Sequence, residues 1–260
     1  MAIKAIAALL PEAFRTLKPL TRTIAEGQAV VDAVCRYGIV FQHGTQQRHD
    51  PLMLFGCELV RNGRIGQLKS IRVELPSGHW IKSASKEVGP APKDFDYDLW
   101  LGHTPKVPYN EYRTHFWWRF NLAYGGGEMT DRGAHVMSNA LYFMNADATG
   151  PVSIEAKGTV PAKGLWDSAI DMEVVYEFKN PDWTLEWGQP GNKVGKLEFG
   201  NVFWGEHGHL VLEWEGGYRP ANPEAIAFQL PPGGQEVYRT DEYEDFNMNH
   251  KADWFKSIRD

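Results

Sequence analysis

Asp171-Met-Glu-Val-Val-Tyr-Glu-Phe178 and, a few residues on, Trp183-Thr-Leu-Glu-Trp187 alternate apolar and polar side chains. An extended backbone sends successive side chains to opposite faces, so this period of two predicts strands with one covered face. The alternation recurs at Ile154/Ala156, Leu197/Phe199 and Leu210/Leu212/Trp214, with Gly-Gly and Pro-Pro-Gly-Gly between some of the runs. Together these segments predict a mostly antiparallel sheet. Its outer face is left to pair with another subunit.

Working towards the N-terminus, the period changes. Ile71, Val73 and Leu75 alternate with Ser70, Arg72 and Glu74, a half-buried strand. Residues 76–118 are irregular and rich in proline and aromatics, too long for a plain connection. Trp80, Phe95, Tyr97, Trp100, Tyr109, Tyr112, Phe116, Trp117 and Trp118 favour an ordered wall there. A helix is predicted over about 50–62, with Asp50 as N-cap, Pro51 at the first position and Gly63 as its stop. Leu52, Phe55 and Leu59 line one side and Met53, Cys57 and Val60 another, as in a helix buried on more than one side. Before it, Thr23-Ile-Ala-Glu26 fits a capping box, and Ala29, Val30, Ala33 and Val34 form an apolar face that ends at Gly38. Ile39-Val-Phe41 then predicts a buried strand, so this stretch is half of an α/β crossover unit.

Composition sets outer limits. The chain has 260 residues, 43% hydrophobic and 13% aromatic, enough for a sizeable core in one domain or one and a half. Net charge is −6 with both signs interspersed, which disfavours nucleic acid as a partner. No run of about 18 apolar residues is present, so no membrane span is expected. The N-terminal MAIKAIAALLPEAF lacks a cleavage pattern and is expected to be a helical remnant of a cytoplasmic protein. Cys35 and Cys57 sit among apolar residues in predicted helices and are expected to be buried thiols.

The densest polar constellation is Gly125-Gly-Gly-Glu-Met-Thr-Asp-Arg-Gly-Ala-His135. Three glycines let a ligand approach the main chain. Thr130 or Asp131 can cap the helix predicted over about 131–144. Asp131, His135 and Asn139 are spaced i, i+4, i+8 and share one stripe, with Met137, Ala140, Leu141 and Met144 opposite to hold the helix on the core. The polar stripe is thereby expected to face a cleft or solvent. A carboxylate one turn from an imidazole orients it and raises its pKa, as suits a general base. The same spacing also describes a cap plus a surface histidine. Lys18, beside Pro19 ahead of the first capped helix, can donate to a substrate oxygen or can be a solvated lysine. His207-x-His209 would share one side of a strand, but no further ligand completes a metal set, so no metal is expected. The remaining histidines, among them His43, His49 and His250, show no informative spacing. His250 to Asp260 reads as the start of an amphipathic helix with Ala252, Phe255 and Ile258 apolar.

Several of these segments, in this order, resemble the Gfo/Idh/MocA oxidoreductases. Leu17-Lys-Pro-Leu-Thr21 is similar to the family's Glu-Lys-Pro-Leu-Thr signature, and Ala25-Glu-Gly27 with Phe41-Gln-His-Gly-Thr-Gln-Gln-Arg48 to its last Rossmann helix and strand. Glu58 to Gly66 is similar to the linking helix. Phe95 to Gly102 and Pro108-Tyr-Asn110 resemble a loop of a sugar-active branch, and Gly125 to His135 the Gly-Gly-x-x-x-Asp-x-Gly-x-His segment.

The resemblance implies an α/β plus α+β chain: residues 1–46 as the C-terminal remnant of a dinucleotide-binding Rossmann domain, and 47–260 as an open, mostly antiparallel sheet domain with helices on one face, for substrate and oligomerisation. It implies hydride transfer from a sugar or polyol hydroxyl carbon to NAD or NADP. Lys18, Asp131 and His135 match the catalytic lysine, the site aspartate and the general base. Lys18 and Gln46 would contact cofactor, and Gln47, Trp118, Arg119 and Asn139 the substrate. Two positions depart from the pattern: Leu17 replaces a Glu, and Ser138 stands where an Asp is expected. The glycine-rich phosphate loop is expected upstream of residue 1, and the last helix is expected to continue past Asp260, so the chain is expected to be a fragment. Other classes fit the same letters: an oxidation–elimination glycosidase, or a non-catalytic carbohydrate-binding or scaffold domain. A homo-oligomer formed through the sheet face is expected in each case.

Overall fold

A computed structural model of the chain describes residues 13–76, 87–190, 199–215, 219–220, 226–228 and 246–259. The expectations for the N-terminal helix, Trp80, Leu197 and the Pro-Pro-Gly-Gly turn lie outside these residues, as do those for the side chains of Leu52 and Trp214.

The chain opens with β1 (Ala13–Thr16), α1 (Ile24–Tyr37) and β2 (Val40–His43). The capping box is present in full. Thr23 Oγ1 accepts from the Glu26 amide at 3.2 Å, and the Glu26 carboxylate accepts from the Thr23 amide at 3.1 Å. Gly38 stops the helix in the left-handed region, φ 60°. β1 pairs with β2 in parallel, Phe14 opposite Phe41, and Val30 and Ile39 are buried between strand and helix. β1 was not expected, since the sequence before Phe14 suggested a helix. One cysteine expectation fails: Cys57 is buried, but Cys35 is on the solvent side of α1 and exposed.

A 3-10 turn (Gln46–His49) leads into α2 (Pro51–Arg61), whose start is capped by Asp50 Oδ1 accepting from the Met53 amide at 3.2 Å. β3 (Leu68–Glu74) follows. Within the irregular stretch the aromatics are ordered as expected. They frame α3 (Tyr97–Leu101) and two 3-10 turns (Glu111–Arg113 and Trp118–Phe120), with Trp117 stacked on Trp166 at 5.2 Å. Then come α4 (Arg132–Phe143), β4 (Ser153–Thr159), β5 (Asp171–Phe178), β6 (Trp183–Gln189), β7 (Gly200–Gly205), β8 (His209–Glu215), β9 (Arg219–Pro220), β10 (Ile226–Phe228) and α5 (Phe246–Arg259).

The large sheet runs β10-β8-β7-β3-β6-β5-β4, with β9 added beside β8. Every pairing in it is antiparallel except β3 with β6. The fold is therefore the expected mixed α/β chain with an open, mostly antiparallel sheet. Helices α2 and α4 cover one face: Met53, Cys57 and Val60 from α2, with Val136, Ala140 and Phe143 from α4, meet Ile71, Val73, Leu185, Trp187, Phe203 and Leu210. Phe143 stacks on Phe203 at 4.2 Å. A Cβ at Gly133 would overlap the Trp187 ring, so only glycine lets the first turn of α4 lie on the sheet.

At the outer edge the pattern is less obedient. β4 is exposed along its whole length, Ile154 to 59%, because the covering helices stop short of it. Phe255 and Ile258 of α5 also face outwards. Among the described side chains of that helix the buried one is His250, not the apolar stripe the sequence suggested.

Candidate active site

The site residues come from three separate turns. Lys18 follows β1 at a cis Lys18–Pro19 peptide, the 3-10 turn after β2 supplies Gln46, Gln47, Arg48 and His49, and the first turn of α4 supplies Asp131 and His135. These elements hold Lys18 Nζ 2.5 Å from Asp131 Oδ1, to which it donates. Both side chains are largely shielded from solvent. The second oxygen, Asp131 Oδ2, pairs with Arg119 Nη1. The Arg119 guanidinium lies 3.9 Å from the centre of the Phe116 ring and 4.7 Å from that of Phe120.

This arrangement corrects three expectations. Asp131 occupies the N-cap position of α4 but makes no capping hydrogen bond, because two cations take its oxygens. Thr130 does not cap either. Its Oγ1 accepts from the Gly126 amide at 2.9 Å, inside the glycine turn. The glycines themselves are filled by protein: a Cβ at Gly125 would fall 2.7 Å from the Arg119 carbonyl, and one at Gly127 2.7 Å from Ser168. They hold Arg119 in place rather than leaving main chain open to a ligand.

The stripe Asp131–His135–Asn139 is buried, not open to solvent. Asn139 Nδ2 donates to Gln47 Oε1 at 2.8 Å, with both residues almost fully enclosed. Gln47 Nε2 and Asn139 Oδ1 have no hydrogen-bond partner among the described residues. Gln46 is half-buried in the same turn, as is Trp118 beside Arg119. Ser138, the departure from the family pattern, accepts at 2.6 Å from Arg48 Nε. The Arg48 guanidinium also grips Asp147 at 2.6 and 2.9 Å, which ties the turn to α4.

The protonation of His135 is opposite to the expectation. Burial pushes it down, and Lys18, His43 and His250 push the same way, to about 3. His135 is thus a neutral imidazole throughout the neutral range.

Sequence analysis passed over two further features. Glu128 is fully buried; burial raises its carboxyl, against the pull of Arg132, Arg119 and Lys18. The only sign of it in the sequence is its place inside the glycine motif. His43 from β2 and His250 from the C-terminal helix both act on the charge of His135, and His250 in turn lies against His49. Among the described residues no group of three or more His, Cys, Asp or Glu side chains is arranged to hold a metal. His207 lies in the turn between β7 and β8, so it does not share a strand face with His209. No described helix is long and apolar enough to cross a membrane.

Residues 59–177, somewhat less than half of the chain, match the family profile GFO_IDH_MocA_C2, described as "Oxidoreductase family, C-terminal alpha/beta domain". Among solved structures, 99% of the chain superposes on 67% of a levoglucosan dehydrogenase in complex with NADH and levoglucosan, TM-score 0.62 at 20% identity. It covers 64% of the aldose-aldose oxidoreductase of Caulobacter crescentus complexed with glycerol, TM-score 0.64 at 16% identity. It covers 62% of the WlbA dehydrogenase of Chromobactrium violaceum in complex with NADH and UDP-GlcNAcA, TM-score 0.59 at 13% identity. At these identities the likeness establishes a common fold, and the chain spans about two thirds of each relative. No curated protein sequence matches it.

Proposed function

We propose that this chain carries the substrate half and catalytic residues of an NAD(P)-dependent oxidoreductase acting on a hydroxyl carbon of a sugar or polyol. The observation that carries this reading is the 2.5 Å contact between Lys18 Nζ and Asp131 Oδ1, one helical turn from the enclosed, neutral His135. In this reading Lys18 donates to the substrate oxygen and stabilises the negative charge that develops there. Asp131 holds the ammonium in place. His135 takes the hydroxyl proton as the general base. A bound nicotinamide dinucleotide supplies the hydride acceptor.

The buried donor Gln47 Nε2 and acceptor Asn139 Oδ1 suit a polyhydroxylated ligand, which would satisfy both. Gln46, on the same turn, would meet the cofactor together with Lys18, and Trp118 would line the substrate side. Arg119 acts here through Asp131 rather than by touching substrate. In this reading residues 1–46 belong to the cofactor half and 47–260 to the substrate half, and the chain assembles with copies of itself through the open sheet face.

The test is a panel of sugars and polyols with NAD and with NADP, following formation of reduced nicotinamide. Turnover that is lost in His135→Ala and in Lys18→Met is the expected result. Turnover undiminished in His135→Ala removes the general-base role. Aglycone release without net reduced cofactor assigns the site to oxidation–elimination instead, and sugar binding without any dinucleotide binding assigns it to a non-catalytic domain.

A further inference from the structure

The outer strand of the large sheet presents an open edge that carries both signs of charge. β4 pairs with β5 on one side, and among the described residues no strand pairs with the other. In an antiparallel ladder alternate residues turn both backbone groups away from the existing neighbour, so this side of β4 offers a row of donors and acceptors. All seven of its residues are exposed, and no proline interrupts them. Val152, Ile154 and Val160, on β4 or just beyond its ends, are 62%, 59% and 56% exposed. The register with β5 sets Ile154 next to Tyr176, on the side of α2 and α4, and Glu155 next to Val175, on the opposite face. Lys157 shares the face of Glu155, and their side chains meet only loosely, at 3.9 Å and open to solvent.

We propose that β4 pairs antiparallel with β4 of a second copy of this chain, about a two-fold axis at Ala156, so that the two sheets join edge to edge. The residues of the strand select both this partner and this register. A two-fold axis normal to the sheet opposes residues of the same face, whose side chains are then close enough to interact. Centred at Ala156, it sets Glu155 of each copy opposite Lys157 of the other, with Ser153 opposite Thr159 and, at both ends, Val152 opposite Val160. Moved by one residue, the axis sets Glu155 against itself or Lys157 against itself, and like charges directly opposed are unfavourable. Moved by two, it leaves Glu155 and Lys157 facing no opposite charge and shortens the ladder. Charge therefore fixes a register that a bare edge would leave open to slippage. Main-chain hydrogen bonds supply the attraction, as in other strand additions. A single strand pair is smaller than a standard interface of roughly 1,200–2,000 Å², so the dimer is weak and depends on concentration. This edge is a different surface from the open sheet face, and the oxidoreductase reading does not depend on it.

Sedimentation equilibrium and hydrogen exchange on the full chain test the pairing. The β4 amides that point away from β5 are expected to gain protection as protein concentration rises. Glu155→Lys and Lys157→Glu each oppose like charges, and each is expected to weaken self-association about tenfold. Both side chains are exposed, so neither change disturbs the core. Glu155→Lys also reduces the net charge of −6, so a weakening there is not general repulsion. Mixing the two single variants is expected to restore association, since every lysine then faces a glutamate. In a Cys35→Ser background, which removes the exposed thiol, Ala156→Cys is expected to give a disulfide-linked dimer on mild oxidation, and Ser153→Cys is not. Outward β4 amides already protected in the dilute monomer would mean that another segment of the chain holds this edge, and would overturn the proposal. Self-association unchanged by both charge reversals assigns the contact to another surface and overturns it too, as does a monomer at every concentration. Each of these results leaves the oxidoreductase reading where it was, since that reading is decided by turnover.

Discussion

Asp131 is held between two cations, and that fixes both the stability and the chemistry of the site. Removing one partner of a shielded ion pair leaves the others uncompensated, at a cost of roughly 3–5 kcal/mol. Asp131→Asn, which keeps the shape and removes the charge, is therefore expected to lower the unfolding free energy by that order, read as a lower urea midpoint. An unchanged midpoint would mean that Lys18 and Arg119 find water instead. The two buried histidines make a second prediction. Both have folded-state pKa values below the ordinary 6.5, to about 3 for His135 and about 4 for His250. Below pH 6.5 the unfolded chain binds protons that the folded chain refuses, so stability rises with pH across this window and is lost as pH falls. The loss from His250 runs from pH 6.5 to about 4 and that from His135 continues to about 3. Denaturation midpoints measured at intervals across that range are expected to fall steadily, and His250→Gln to remove part of the slope.

At the level of elements, the site depends on how closely α4 lies on the sheet. Gly133 rests on Trp187, and an added methyl group has nowhere to go. Gly133→Ala gains helix propensity worth about 1 kcal/mol. Against that, overpacking costs about 1–3 kcal/mol, and more where an aromatic ring must move. The net expectation is a lower melting temperature, and a larger loss of turnover than of stability, because the same turn carries Asp131 and His135. A variant at wild-type stability would show that Trp187 yields easily. The tie between Arg48 and both Ser138 and Asp147 fixes the other side of the cleft. Arg48→Ala is expected to raise hydrogen exchange in the Gln46–His49 turn while leaving the sheet amides protected.

For the whole molecule, α2 and α4 cover one face of the sheet. On the opposite face Arg72 pairs with Glu74 and with Glu186, and Val175 is partly exposed. If this face assembles with copies of the chain, sedimentation velocity at micromolar concentration gives an oligomer, and Val175→Arg shifts it towards the monomer. A single monomer boundary at every concentration rules the assembly out.

What the amino-acid sequence determined alone was whatever depends on near neighbours. The capping box at Thr23–Glu26, the stop at Gly38, the Asp50 cap and the period-two strands at Asp171–Phe178 and Trp183–Gln189 are local hydrogen-bond and side-chain patterns, and each is present as read. The order of motifs around Lys18 and Gly125–His135 also pointed to the family whose profile residues 59–177 match. The tertiary structure alone decided which groups reach Asp131, that the polar stripe of α4 is enclosed, and that His250 arrives from the far end of the chain. Spacing along one helix states which residues share a side. It cannot state what packs against that side, and a titratable group takes its protonation from its surroundings in three dimensions. For that reason Asp131 is paired with a lysine and an arginine from other turns, and burial keeps the imidazole of His135 neutral.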